Sequence, residues 1–241
     1  MSQNETVGNI AQLGNVTELG VLVATVVNRH PNLPPLGVFY GASGAGKTFA
    51  AAWNANLYKA YYVEVKSLWT RKRFFEAILQ EMQIIPEKTI GAMFDQVCAQ
   101  LALSRRPLFV DDCQYLAKGD KLEMVKDIAE GSQGSIILIG EDALPQALRR
   151  WERIDNRVLA WAQAKPCTVA DARKLLPMYA PEVEVADELL AKVCSEVKGC
   201  TRRVCTNLNT MREYANKNPD TGRLTPENYK QPIYTGNPKG A

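Results

Sequence analysis

The chain has 241 residues, 46% of them hydrophobic, and a formal net charge of +3. That is ample apolar material for a packed core, which excludes a disordered protein, and too little charge for a global basic field, so any DNA-binding surface must be a local cluster. The six cysteines contain no C-x-x-C pair and His30 is the single histidine, which excludes the familiar zinc sets and leaves buried, reduced thiols as the expectation.

No window approaches the roughly eighteen apolar residues a membrane span needs, and the polar amino terminus has no basic-then-apolar signal arrangement. A soluble, cytoplasmic protein with no membrane partner is expected.

In chain order, residues 1–14 are polar and read as a flexible arm. Thr17 to Arg29 has a helix cap followed by a broadly apolar face, and His30-Pro31 and Pro34-Pro35 end it. The apolar strand Gly37 to Tyr40 runs directly into Gly41-Ala42-Ser43-Gly44-Ala45-Gly46-Lys47-Thr48, which is G-x-x-x-x-G-K-[ST] without a departure. Glycines let consecutive backbone N–H groups turn inward around a phosphate, Lys47 reaches the terminal phosphates, and the Thr48 hydroxyl takes a place on Mg²⁺. The helix that follows, from about Lys47 to Leu57, adds its positive end. Gly41 to Thr48, with Phe49 after them, are therefore the candidate nucleotide-binding residues.

Tyr61 to Val65 is β-branched and aromatic and reads as a second strand. A basic loop follows, Lys66 to Arg73, with Trp69 inside it, and then an amphipathic helix over Phe74 to Met82. Ile90, Met93, Phe94, Val97 and Leu101 repeat at helical spacing within a helix over Thr89 to Leu103. Leu108-Phe109-Val110 is a short continuous apolar strand of the kind buried in parallel sheets. Asp120 to Ala129 reads as helix and Ser135 to Ile139 as a further buried strand.

Strands alternating with helices from residue 36 to about residue 162 predict repeated βαβ units: an α/β fold with a P-loop parallel sheet sandwiched by helices. From Thr168 the pattern changes to helices alone, Val169 to Tyr179, Val185 to Val197 and Thr201 to Ala215, which predicts a small helical lid. The expected division is an arm (1–14), a nucleotide-binding α/β domain (15–165), a helical lid (166–215) and an extended or disordered tail (216–241), where prolines and glycines are frequent and apolar residues few.

Ligands of open parallel sheets bind beyond the carboxyl ends of the strands. Leu108-Phe109-Val110-Asp111-Asp112 puts two acids at such an end, where the first can hold Mg²⁺ through its water shell and the second can orient an attacking water.

Taken together, GASGAGKT, LFVDDCQYL, the IILIG strand, the arginine-rich segment after it and GCTRRV near the end resemble AAA+ ATPases, and among them the DNA transposition protein B family of Mu-like phages and the related target-selecting ATPases of transposons. The resemblance covers residues from about 15 to 215. It implies that Lys47 and Thr48 bind the phosphates and magnesium of ATP, that Asp111 supports the magnesium, and that Asp112 stands where the family usually has Glu, one methylene longer. After the sensor-like strand the family usually offers a polar Asn or Thr, whereas Gly140-Glu141-Asp142 follows here.

The resemblance further implies that one arginine of Arg149, Arg150, Arg153 and Arg157 reaches a neighbouring subunit's nucleotide, with Arg157 the first choice and Arg153 the second, and that Arg202 acts as a second sensor. For duplex DNA the candidate contacts are Lys66, Thr70, Arg71, Lys72 and Arg73, with Lys88 and Thr89 a second patch; such side chains contact phosphates and give affinity with little base readout. Since the first predicted helix already starts at Thr17, DNA affinity is expected to arise in the ATPase core. The implied function is an ATP-dependent ATPase that assembles on target DNA as a homo-oligomeric filament or ring and delivers that target to a transposase. A nucleotide-gated DNA scaffold with negligible hydrolysis, and a helicase-loader or secretion-type ATPase, are the alternatives.

Overall fold

The structure, a computed structural model, describes residues 13–117 and 121–236. Contacts divide them into two compact units, one formed by Glu18–Gly41 with Lys47–Ala164, the other by Ala42–Gly46 and Lys165 onward together with the first described residues up to Thr17. The expected arm lies outside the described residues except for Leu13 and Gly14. Gly14 already opens the first helix, α1 (Gly14–Val27).

The first unit is built on five strands, β1 (Leu36–Tyr40), β2 (Tyr61–Glu64), β3 (Leu108–Asp111), β4 (Ile136–Gly140) and β5 (Val158–Gln163), in the order β2-β3-β4-β1-β5. All four pairings are parallel. The burial of the strands follows from that order. β3 and β4 sit inside the sheet and are buried at every position, whereas β2, at one edge, alternates buried and half-buried residues. Continuous apolar runs such as IILIG are what a strand covered on both faces requires.

Among the described residues five longer helices flank this sheet: α1, whose Leu22 and Val26 lie against Gly37 of β1, and α2 (Lys47–Leu57), α3 (Arg71–Glu81), α4 (Ile90–Ser104) and α5 (Leu122–Ser132). Two short ones, α6 (Leu144–Arg149) and α7 (Glu152–Asp155), precede β5. One core cluster joins Val38, Val63, Phe74, Ile78, Val97, Leu101, Val125 and Leu138 across strands and helices. The expected fold class is therefore the observed one. The sheet's fifth strand was not legible as a strand in the sequence, and the cations expected in a loop lie partly in a helix. Thr70 caps α3, its Oγ1 accepting from Arg73 N–H at 3.2 Å, so Arg71, Lys72 and Arg73 form the first turn.

The second unit contains α8 (Val169–Tyr179), α9 (Asp187–Glu196) and α10 (Thr201–Lys217). A capping box starts α8: Thr168 Oγ1 accepts from Asp171 N–H at 3.1 Å and Asp171 Oδ2 accepts from Thr168 N–H at 3.0 Å. Both exchanges satisfy N–H groups that a helix start leaves without partners. The stretch after α10, expected to be extended or disordered, is irregular up to Gly236 yet fastened down. Leu224 is fully buried and bridges to Val185, Tyr229 packs edge-on to Tyr214, and the buried Asn207 accepts from Tyr234 N–H at 2.8 Å and donates to Tyr234 C=O at 3.0 Å. Three apolar or aromatic anchors in a polar sequence suffice to hold it.

Candidate nucleotide site

The chain leaves β1 at Gly41 and enters α2 at Lys47. Gly41 N–H donates to Gly140 C=O at 3.2 Å and Ala164 N–H donates to Tyr40 C=O at 2.7 Å, so the exit from β1 is pinned by both neighbouring strands. Only glycine fits there, because a Cβ at residue 41 would come within 2.8 Å of the Ala164 methyl group.

The tip of the loop, Ala42 to Gly46, packs against the helical unit. Gly44 and Gly46 have φ of 80° and 86°, the left-handed region that favours glycine. Gly44 C=O accepts from Arg202 N–H at 3.1 Å, and Ala45 C=O accepts both from Thr201 Oγ1 at 3.1 Å and from Asn15 Nδ2 at 2.9 Å. The start of α10 therefore holds the loop tip through backbone and hydroxyl contacts, and the Arg202 side chain itself is exposed. Asn15, which the sequence left at the edge of the arm, is a second clamp; it also pairs with Lys165 through both N–H and C=O.

In the first unit, Lys47 is half-buried and its Nζ donates to Gly41 C=O at 2.7 Å. Burial lowers its pKa, while the charges of Asp111, Glu141, Asp142 and Asp112 act in the opposite direction. Acidic side chains that act on Lys47 thus outnumber its one ammonium. Asp111, at the end of β3, is 1% exposed. Its Oδ2 accepts from the Tyr62 hydroxyl at 2.7 Å and its Oδ1 from Asp112 N–H at 2.8 Å. Burial first, then the Asp111 charge, pushes the Tyr62 phenol well above its usual range, so it stays a donor.

Asp112 stands at φ 54°, ψ 36°, left-handed, and opens a 3₁₀ turn over Cys113–Tyr115. Its Oδ1 accepts from Gln114 Nε2 at 3.0 Å. Thr48 is exposed in the first turn of α2 and Phe49 is 41% exposed. The donors on this face are a carboxylate and a hydroxyl, hard oxygen ligands of the kind that hold Mg²⁺ together with retained water, and the excess of acidic side chains acting on Lys47 suits a cation. At the sensor-like position Glu141 is exposed beyond the last residue of β4.

The two candidate trans arginines are placed differently. Arg157 Nε and Nη2 both bond Glu130 Oε1, at 2.8 and 2.7 Å, and Arg157 C=O accepts from Leu36 N–H at the start of β1. It therefore sits at the far end of that strand from the phosphate loop, ~13 Å away along the strand axis at 3.3 Å per residue. Arg153, exposed on α7, has no ion-pair partner among the described residues.

The candidate DNA residues are scattered in character. Lys66 pairs with Glu64; Lys72 and Arg73 lie 3.9 and 3.8 Å from Glu76; Arg73 also stands over the Trp69 ring at 5.5 Å. Thr70 and Thr89 spend an acceptor as helix caps, with Ala92 N–H donating to Thr89 Oγ1 at 3.2 Å. Arg71 and Lys88 are exposed and carry no ion pair among the described residues. Tyr62 and Gln114 are the supports whose part in the site the sequence did not reveal. Their signals, an aromatic on an edge strand and an amide two residues past the acids, gain meaning only once β2 lies beside β3.

A pinned phosphate loop after β1, paired acids after β3 and a parallel sheet in this order give the AAA+ P-loop fold. Residues 32–148 match the sequence model of the family described as AAA domain. The fold is similar to that of the Aeropyrum pernix ORC2 protein in its ADP form, with a TM-score of 0.66 and 14% identity over 83% of this chain and 63% of that one. The Aeropyrum pernix ORC1 protein in complex with DNA gives a TM-score of 0.61 at 17% identity, over 89% of this chain and 62% of that chain. For Cdc6p of Pyrobaculum aerophilum the values are 0.60 and 15%, over 85% and 62%. The chain spans less than two thirds of the length of each of these proteins. No curated protein matches the chain by sequence. Among the described residues no helix is long and apolar enough to cross a membrane.

Proposed function

We propose that the protein is an ATP-dependent ATPase that binds duplex DNA with little sequence preference, assembles on it as a homo-oligomeric filament, and presents the DNA to a transposase. The observation that carries the nucleotide part of this reading is the constellation of Lys47 among Asp111, Asp112 and Glu141 at the carboxyl ends of the strands. Lys47 neutralises transferred phosphate charge, Thr48 and Asp111 hold Mg²⁺, and Asp112 orients the attacking water. Bound magnesium supplies charge neutralisation on the phosphates.

Arg153 or Arg157 completes the site across a subunit boundary, which ties ATP occupancy to assembly and hydrolysis to release. The exposed cations Arg71 and Lys88 support the DNA part, and the ORC1 protein of similar fold is one found in complex with DNA. The transposition client rests on the combined motifs GASGAGKT, LFVDDCQYL and GCTRRV. DNA affinity measured with ATP, with ADP and without nucleotide, at several salt concentrations, tests the reading. Tight binding in the ATP state alone is expected, and equal affinity in all three states would sink it.

A second reading is a nucleotide-gated DNA scaffold that scarcely hydrolyses. It is favoured by Asp112, one methylene shorter than the glutamate usual in the resembling family, and by Glu141 at the sensor-like position. Multiple-turnover phosphate release with duplex DNA separates the two: turnover that disappears in Asp112→Asn supports the enzyme.

A further inference from the structure

Asp112 is one methylene shorter than a glutamate and sits on left-handed backbone, so the direction of its carboxylate has to be set by something else. Gln114 is in contact with it, donating Nε2–H to Oδ1 at 3.0 Å. An ionised carboxylate only accepts, which fixes the end of the amide that faces Asp112 and sends Oε1 the other way. That Oε1 is buried and has no hydrogen-bond partner among the described residues. It lodges against the end of β4, where a Cβ on Gly140 would come within 2.8 Å of it.

A buried acceptor with no donor destabilises a fold. A side chain selected for packing alone would be apolar at this position. Here an amide stands where it touches the second acid, and Gly140 leaves the room that its outer end needs.

We propose that Gln114 is a positioning residue for hydrolysis: it holds one oxygen of Asp112 so that the other faces the attacking water. This rests on the hydrolysis reading above. In that step the water oxygen bonds to the γ-phosphorus. The bond from that phosphorus to the β–γ bridging oxygen breaks, its electron pair leaving on ADP. The water's proton passes to the Asp112 carboxylate and from there to solvent. Gln114 touches none of the reacting atoms and acts through Asp112.

The test compares the full chain with Gln114→Met and Gln114→Glu, in the presence of duplex DNA, by steady-state phosphate release, affinity for a fluorescent ATP analogue, and thermal melting. Methionine matches the volume and removes the orphaned acceptor. Gln114→Met is expected to melt no lower than wild type and to bind the analogue unchanged, with kcat down between about tenfold and a hundredfold at constant KM, the scale of a misplaced catalytic group. Gln114→Glu, which sets one carboxylate against another, should lose at least as much; if the methionine variant fails to fold, the glutamate variant decides by the same readouts.

Wild-type kcat in both variants overturns the proposal, as does a parallel fall of kcat, affinity and melting temperature. A wild-type chain that releases no phosphate overturns the hydrolysis reading along with this one, whereas turnover indifferent to residue 114 overturns this one alone.

Discussion

The Tyr62 hydroxyl donates to Asp111 Oδ2 at 2.7 Å, across the β2–β3 pairing. The edge strand thereby orients the buried acid assigned to magnesium. Tyr62→Phe removes a hydrogen bond to a charged group, a change that costs about 1.5–3 kcal/mol. Denaturant unfolding should show that loss. Phosphate release should also need more Mg²⁺ for half-maximal rate, while nucleotide affinity measured in EDTA stays as it was. Unchanged magnesium dependence would remove Tyr62 from the site.

Gly44 meets two constraints, a φ of 80° and a Cys200 Sγ only 2.6 Å from where a Cβ would stand. Gly44→Ala should destabilise by about 1–3 kcal/mol, the range for strained backbone, and lower nucleotide affinity. Adding Cys200→Ala removes the steric part but leaves the dihedral strain, so calorimetry on the double variant should recover a fraction of the loss. Full recovery would mean that the backbone is not strained there.

The arginines differ in what they already do. Arg157 is occupied by Glu130 near the surface, a pair whose loss is worth about 0–1 kcal/mol. Arg153, exposed and with no ion pair among the described residues, is the stronger of the two candidates. Arg153→Ala should abolish DNA-stimulated turnover with the fold intact. Mixing Arg153→Ala subunits with Lys47→Ala subunits should restore part of the turnover, since each supplies what the other lacks at a shared boundary. Mixtures as inactive as the separate variants would argue against a residue acting in trans.

Among the cations after β2, those without local ion pairs should matter most to DNA. Arg71→Ala and Lys88→Ala are expected to weaken binding more than Lys66→Ala or Lys72→Ala, each lowering the slope of log K against log salt by about 0.9. Fluorescence anisotropy across a salt series checks the ranking, and a uniform effect of all four changes would show that the local pairs open freely on binding.

Burial, with the Asp95 and Asp127 charges adding to it, pushes the Cys98 thiol up to about 11. An unfolded thiol titrates near 8.5, so the folded state binds the proton more tightly. The resulting stability is fully present below about pH 8.5 and is lost as pH rises toward 11. Unfolding free energy should therefore fall above pH 8.5, and less steeply in Cys98→Ala. A variant with the same slope as wild type would assign the fall to other groups.

What the sequence disclosed was whatever depends on near neighbours. Glycine spacing in Gly41 to Gly46, the acids after an apolar run, and the continuous IILIG strand each carry their structural reason within a few residues. The strand order is non-local, and VLAWAQ is a short apolar run, half-exposed at the sheet's edge, that only its pairing with β1 distinguishes from a piece of helix. Lys47, Asp111 and Asp112 stand out as candidates in the same way, while Tyr62 and Gln114 do not, since their contacts arise from pairing and from a left-handed turn. Arg71 to Arg73 were misplaced by a few residues because Thr70, the cap that starts α3, precedes the cations instead of following them.

Asn207, Leu224 and Tyr234 have a practical consequence for anyone preparing shortened versions of this protein. A boundary drawn where the last long helix ends, at Lys217, looks natural in the sequence. It would strip Leu224 from Val185 and leave the fully buried Asn207 amide with neither of its Tyr234 partners. Such a fragment would expose apolar surface and aggregate, whereas one carried past Tyr234 keeps the lid helices covered.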